Sequence, residues 1–324
     1  MSDARWITES EVAALLPLGD AIAAVETALR RQTDGRARTM EKTHVAWGEG
    51  HTLHAVGGQL DGLVGTKTWA HTSGGATPLL LLWDAGDGRL VAVVEAFALG
   101  QLRTGAVSGV ATRWLAAADA DELAILGSGK QARAQVAAVD AVRLLRSIRV
   151  WSPTADHATA FARALVGAAD VDVVVAASAA EAVAGAPIVT TVTRARTPVL
   201  ESAMVAPGTH VNAIGAITPE RGEIHPDVVG RCDVVAADSP DAARRLAREL
   251  AGLADITPLS TIVAAGAGRP AGADLTLFRA MGIGLADVAL GAELVARAKA
   301  AGAGRPLPQP APAPLDLSLG GSRD

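Results

Sequence analysis

The sequence predicts an α/β protein in two parts, a Rossmann-type doubly wound parallel sheet and a second α+β domain, and three observations carry the prediction. From Asp121 onward, strand-like and helix-like runs alternate: "ELAILGSG", "KQARAQVAAVDAVRLL", "SIRVWS", "TADHATAFARAL", "VDVVVA", "APIVTTV" and "THVNAIG", the order that builds a parallel, helix-flanked sheet. Between Arg36 and Glu95 the runs are short and extended instead. "TLHAV", "LVGTKTWA", "PLLLLWD" and "RLVAVVE" are separated by Gly-Gly, Ser-Gly-Gly and Gly-Asp-Gly, which suits an antiparallel or mixed sheet. Finally, 324 residues, half of them hydrophobic, can bury a sizeable core and fit two domains more readily than one.

Each element has a local cause. The first thirty residues read as helix: Thr8 is placed as an N-cap with Glu11 three positions on, and "DAIAAVETALRRQ" carries apolar residues at helical spacing. A long apolar helix over about 96–118 leads away from the first sheet. A closing helix, "LADVALGAELVARAKAAG", starts near Leu285 and is expected to pack back on the first domain. The boundaries are then 1–118 for the first domain, joined by the helix 285–302, and 119–284 for the Rossmann domain. A tail follows over 303–324, whose end, "RPLPQPAPAPLDLSLGGSRD", has no apolar period and reads as extended or disordered.

Bulk properties exclude several functions. The net charge of -5 comes with no polybasic block, so nucleic acid and anionic membranes have no electrostatic support as partners. A small molecule is expected instead. The one cysteine, Cys232, permits no intrachain disulfide and no multi-cysteine metal site, and reads as a buried structural thiol that fits a reducing compartment. The opening "MSDARWITESEV" lacks the basic start and apolar run of a secretory signal, and no apolar stretch approaches the roughly 18 to 20 residues that cross a bilayer. A cytoplasmic protein is expected. There is no tyrosine, which removes Tyr-Lys carbonyl chemistry, and no G-x-S-x-G elbow. No metal is expected: H-E-x-x-H is absent, and His51 and His54, three apart on a strand, face opposite sides and read as surface or turn residues.

The stretch "LAILGSGKQARAQVAAV" is a variant of the dinucleotide fingerprint G-x-G-x-x-G. Gly127 supplies the tight turn, Gly129 lets backbone approach a pyrophosphate, and Ala132 stands where a third glycine allows close helix packing. An apolar strand ends at Leu126 and a helix begins after Gly129, so a helix N-terminus can face the phosphates. At the end of the second strand, where an acid holding the ribose 2'-hydroxyl favours NAD, the chain has Ser152 and Thr154 and no carboxylate before Asp156. NADP(H) is therefore favoured over NAD(H), with Lys130 as a cation near the extra phosphate.

Three cations stand out in the first domain. Lys67 lies inside "LVGTKTWA", Arg103 opens "RTGAVSGVATRWLA", and Arg38 precedes "TMEKTHVAW". For Lys67 and Arg103 the neighbours are apolar, and burying an unpaired cation is costly unless an anion balances it. A substrate carboxylate would do so through charge-assisted hydrogen bonds.

Together "GTK", "RTGAVSGVATRWLA", "AILGSGKQA", "VTTVT", "PGTHVNAIGA" and "TLFRAMGIGLAD" resemble, in order and spacing, the ornithine cyclodeaminase and mu-crystallin family. The resemblance spans about Arg38 to Arg297. It implies a homodimer in which the second domain binds substrate and dimerises. It further implies that Arg38, Lys67 and Arg103 clamp a substrate carboxylate, with Lys67 also the proton donor or acceptor at the reacting centre. Gly127, Ser128, Gly129, Lys130 and Gln131 would cradle the pyrophosphate. Thr191, Val192 and Thr193 would line the adenosine side, Asn212 would lie near the nicotinamide, and Thr104 and Ile214 would be further cofactor contacts. One departure concerns the reaction: where family cyclodeaminases and archaeal alanine dehydrogenases carry an aspartate that handles the amine, this chain has Ile217. Glu220 and Glu223 follow closely and read as solvated loop charges. Smaller departures are Gly105 in the R-T-A-A motif and Glu95 where an aspartate is common.

The expected activity is that of an NAD(P)H-dependent reductase of α-imino acids, of the ketimine reductase or amino acid dehydrogenase type. One alternative is an ornithine cyclodeaminase, a lyase releasing ammonia, against which Ile217 and the lack of an NAD-type acid at Ser152 both count. Another is a crystallin-like protein that binds NADP without chemistry, against which the retained Lys67, Arg103 and glycine loop count.

Overall fold

A computed structural model describes residues 4–166 and 171–315 of the chain. It opens on strand β1 (Ala4–Ile7) and helices α1 (Glu9–Leu15) and α2 (Leu18–Thr33). Thr8 caps α1 as expected: its hydroxyl accepts from the Glu11 N–H, and its own N–H donates to Glu11 Oε2 at 2.8 Å. Next come β2 (Ala37–Thr39), β3 (Thr43–Trp47), β4 (His51–Leu60), β5 (Leu63–Thr72), β6 (Gly75–Ala76), β7 (Leu79–Asp84) and β8 (Leu90–Glu95), and then the long helix α3 (Phe97–Leu115).

The alternating region follows. Strands β9 (Glu122–Leu126), β10 (Ser147–Trp151), β11 (Asp172–Val175), β12 (Ile188–Thr191), β13 (His210–Ala213), β14 (Cys232–Ala237), β15 (Thr257–Pro258) and β16 (Leu275–Arg279) are interleaved with helices. The helices are α4 (Lys130–Asp140), α5 (Ala155–Val166), α6 (Ala179–Val183), α7 (Pro226–Val229), α8 (Pro240–Leu246) and α9 (Leu259–Ala265). Helix α10 (Gly284–Ala301) and strand β17 (Arg305–Leu307) complete the described residues.

The strands form two sheets. The first runs β17-β1-β8-β7-β5-β4-β2, with β3 added on β4 and β6 on β5, and is antiparallel except between β1 and β8. The second is parallel throughout, in the order β11-β10-β9-β12-β13-β16-β14-β15. Its strand order reverses between β9 and β12, so a crevice opens past their carboxyl ends, the place where such sheets bind ligands. This is the predicted Rossmann-type sheet beside a second α+β unit.

Helix α3 packs against α2, α4 and the parallel strands β13 and β16, and its residues Leu99, Ala106, Val110, Ala111 and Leu115 are fully buried. The approach to α4 accounts for Gly105: a Cβ there would lie 2.8 Å from the Ala134 carbonyl oxygen. Helix α10 packs back on β4, β5 and α2. Its first residue, Gly284, is pressed onto β4 so tightly that a Cβ would lie 2.3 Å from the Gly57 backbone.

Four expectations need correction. The N-terminal segment is not all helix, because Ala4–Ile7 is a strand, and Arg305–Leu307 of the expected tail pairs with it, Arg5 opposite Pro306. Strands this short show no periodicity, and Pro306 is tolerated because β17 is an edge. The rest of the tail, 316–324, lies outside the described residues. Cys232 is half-buried rather than buried, its thiol donating to the Val228 carbonyl at 3.3 Å; burial still pushes its pKa up to about 12. His54 lies on a strand, β4, as expected, but is half-buried rather than at the surface, stacked on Trp69 with ring centroids 4.8 Å apart. Glu223 is the fourth and belongs with the site. Among the described residues, no single helix is long and apolar enough to cross a membrane.

Candidate active site

The crevice of the parallel sheet holds the glycine loop. Gly127 has φ +120°, and a Cβ there would lie 2.7 Å from the Val192 carbonyl oxygen, so both conformation and crowding require glycine. Gly129 is the N-cap of α4, which has no side-chain cap, and no atom lies within 4 Å of where its Cβ would be. No side chain caps the first N–H groups of α4, an arrangement that suits a phosphate. The residues present therefore fit a dinucleotide pyrophosphate. Gly129, Lys130 and Gln131 line a cavity of about 350 Å³, shared with Thr104 of α3, Val192 and Thr193 after β12, and Ile214 after β13. Gln131 Nε2 donates to the Gln101 carbonyl at 3.2 Å, tying the loop to α3. Ser128 is half-buried beside them.

Other residues expected to touch the cofactor lie outside this lining. Ser152 is half-buried and Thr154 exposed just past β10. Thr191 is fully buried in β12. Asn212 is buried beneath α3, its Nδ2 donating to Thr112 Oγ1 at 2.9 Å and its Oδ1 paired with His210 Nε2 at 3.1 Å. Burial pulls His210 down to about 3, so that ring is neutral.

Lys42, Trp69, Arg103 and Asp287 line the same cavity, and Lys67 is not among the lining residues but meets it through Asp287. Lys67 of β5 is 4 % exposed, and its Nζ donates to Asp287 Oδ1 of α10 at 2.5 Å. Arg103 Nε stands 3.7 Å from the same oxygen. The Lys67 ammonium lies 5.5 Å from the centroid of the Trp69 ring and the Lys42 ammonium 5.8 Å from it. Burial brings the Lys67 pKa down to about 8, against Asp287, which raises it, and with Arg103 and Lys42, which lower it further. Lys42, between β2 and β3, is exposed as a residue, but loss of water around its ammonium and the nearby Arg103 hold it below the usual lysine value. Partial burial and the charges of Lys42 and His44 likewise pull His54 down to about 4. Arg38 is exposed on β2 and does not line the cavity.

Gly282, at φ +85°, makes room for Arg103: a Cβ there would lie 2.9 Å from Arg103 Nη1. Asp238 fixes that turn, accepting from the Met281 and Gly282 N–H groups at 2.8 Å each.

A family model described as "Ornithine cyclodeaminase/mu-crystallin family" matches residues 4–301. The chain belongs to this family. Its relatives in the family include the ketimine reductase mu-crystallin of Rattus norvegicus, 35% identical over 218 residues that cover 67% of each chain. Among solved structures, Thermococcus litoralis Delta(1)-pyrroline-2-carboxylate reductase in complex with NADH and L-proline superposes with a TM-score of 0.87 at 25% identity, covering 94% of this chain and 100% of that one. An archaeal alanine dehydrogenase dimer with bound NAD gives 0.88 at 25% identity, covering 94% and 99%.

Against the family pattern, Ile217 lines the cavity with no polar group to offer. Glu220 is exposed, but Glu223, read from sequence as a solvated loop charge, is 1 % exposed. Its carboxylate accepts from Thr193 N–H at 2.5 Å, Thr193 Oγ1 at 2.9 Å, Gly215 N–H at 2.6 Å and Ala216 N–H at 3.1 Å. Both oxygens are thus engaged in clipping together the loops after β12 and β13, and Glu223 does not stand in for the absent aspartate. Burial raises its pKa while these donors and Arg279 oppose the rise.

The sequence reading missed Lys42, Trp69, Asp238 and Asp287. For Asp287 the signal was present: an acid in the apolar run "GIGLADVAL" invites the same question that singled out Lys67.

Proposed function

We propose that the protein is an NAD(P)H-dependent reductase of α-imino acids. The observation that carries this reading is the buried Lys67 ammonium, with a pKa near 8, held at 2.5 Å by Asp287, which lines the same cavity as the uncapped N-terminus of α4. Gly129, Lys130 and Gln131 would hold the pyrophosphate of a nicotinamide dinucleotide, which when bound would supply the hydride for the C=N carbon. Arg103 and Lys42 hold the substrate carboxylate by charge-assisted hydrogen bonds. Lys67 gives a proton to the imine nitrogen, and a donor titrating near the working pH is suited to that transfer. The resemblance also assigns Arg38 to the clamp; its exposed position makes the pair Arg38→Ala and Lys42→Met the comparison that ranks the two, read as the rise in KM for the imino acid. Ile217 offers no group to manage a departing amine, which favours reduction over cyclodeamination.

NADP(H) is the proposed cofactor, supported by the absence of a carboxylate just past β10. A homodimer in the cytoplasm is the proposed assembly, and the exposed Val45 and Trp47 of β3 give it apolar surface to cover.

The test is oxidation of NADPH and NADH with pyrroline-2-carboxylate, piperideine-2-carboxylate, pyruvate plus methylamine or ammonia, and iminosuccinate. At least one imino acid is expected to be reduced by the wild type, and Lys67→Met is expected to lose on the order of 100-fold or more, the usual contribution of a general acid. Release of ammonia from ornithine with no imine reduction would overturn the reading.

A further inference from the structure

The cavity contains more acid than the carboxylate clamp requires, and the carboxylates differ in what their oxygens do. Asp238 and Asp287 are the two that line it among the described residues. Asp238 spends its oxygens on the backbone of Met281 and Gly282. Asp287 is 0 % exposed, gives Oδ1 to Lys67, and keeps Oδ2 buried without a hydrogen-bond partner. An unsatisfied carboxylate oxygen in the interior costs several times what an ordinary hydrogen bond returns, so its retention calls for a role.

Its placement is rigid. Asp287 is the fourth residue of α10, within its first turn. That turn is fixed by the contact of Gly284 on Gly57, and by Leu285, whose Cα would lie 3.1 Å from a Cβ on Gly58.

We propose that Asp287 is the positioning residue of Lys67: it keeps Nζ protonated and anchored at the wall of the cavity, so that Lys67 enters each turnover as an acid. The charged groups that face Lys67 are Asp287 from α10, Arg103 from α3 and Lys42 from the stretch between β2 and β3, and Asp287 is the one that is negative. The Trp69 ring covers the ammonium from the same strand. Two cations and burial favour the neutral amine, and one carboxylate holds the proton against them. In the absence of that carboxylate, the lysine would lie largely deprotonated near neutral pH, with no proton for the imine nitrogen.

The inference rests on the proposed reduction and on Lys67 as its acid, and the experiment separates the two. The measurement is the pH dependence of kcat/KM for imine reduction in the wild type and in Asp287→Asn, with NADPH binding by fluorescence as the control for an intact fold. An acid must be protonated, so the rate falls as pH rises through the Lys67 pKa. Loss of the neighbouring negative charge moves that falling limb to lower pH by about 1 to 3 units. At pH 8 the variant is then expected to lose roughly 5- to 500-fold, depending on the shift, and at pH 6 no more than about tenfold. The imine's own titration is common to both proteins, so the difference belongs to the protein. A uniform loss at every pH, or an unmoved limb, overturns the role of Asp287 while leaving Lys67 in place. Failure of Lys67→Met to impair reduction overturns the underlying reading instead. Should Asp287→Asn not bind NADPH, Asp287→Ser, smaller and neutral, carries the same expectation and the same refutation.

Discussion

Single residues in this cavity are explained by what balances their charge. Lys67 and Arg103 could be picked out in the sequence because each interrupts an apolar run, and burial of a cation demands an anion. Asp287 obeys the same rule from the other side, but its partner lies 220 positions away, and no local pattern announces the pair. Arg38 carries no such signal, since charged Arg36 and Glu41 stand close on either side of it, and it lies at the surface. Glu223 was illegible for a different reason: a glutamate in "PERGEI" looks solvated until the loops after β12 and β13 are seen to close over it. Replacing it by Gln puts an NH2 group where N–H donors now point. Glu223→Gln is expected to cost about 1 to 3 kcal/mol of stability and to weaken NADPH binding, as read by thermal unfolding and by fluorescence titration. An unchanged midpoint with unchanged affinity would show that the clip is dispensable.

Elements were legible in proportion to their length. The parallel strands and the long helices α3 and α10 declared themselves by period and by apolar runs, whereas β1 and β17, of four and three residues, are too short to show either. Their pairing is a matter of which chain ends meet, information that resides in the fold. Packing between elements is likewise invisible to pattern. Gly105 departs from the R-T-A-A motif, and only the approach of α4 explains it. Gly105→Ala would drive a methyl group to 2.8 Å from the Ala134 carbonyl oxygen, forcing α3 and α4 apart. Overpacking of this kind is expected to cost about 1 to 3 kcal/mol, measured as a lower denaturation midpoint. Because α3 also carries Arg103 and Thr104, the KM for substrate and cofactor should rise with it.

At the scale of the whole molecule, the site belongs to neither sheet alone. The glycine loop comes from the parallel sheet, Lys67 from the antiparallel one, and α3 spans the two. Light scattering should return twice the mass of one chain if the proposed dimer forms, and a single-chain mass would refute it. Ser152→Asp, adding a carboxylate just past β10, is expected to shift the preference from NADPH toward NADH by about tenfold or more in kcat/KM, since the added charge repels a 2'-phosphate. An unchanged ratio would place the discriminating group elsewhere.

The pairing of Lys67 with Asp287 also imposes an order on synthesis. The lysine leaves the ribosome with the first fifth of the chain, and its counter-charge emerges only with α10, near the end. Until that helix docks on β4 and β5, the lysine has no anion beside it, and closing the first sheet over it would drive off its proton. The arrival of α10 is therefore the step that returns the proton, and a chain closed before it would be folded but catalytically mute.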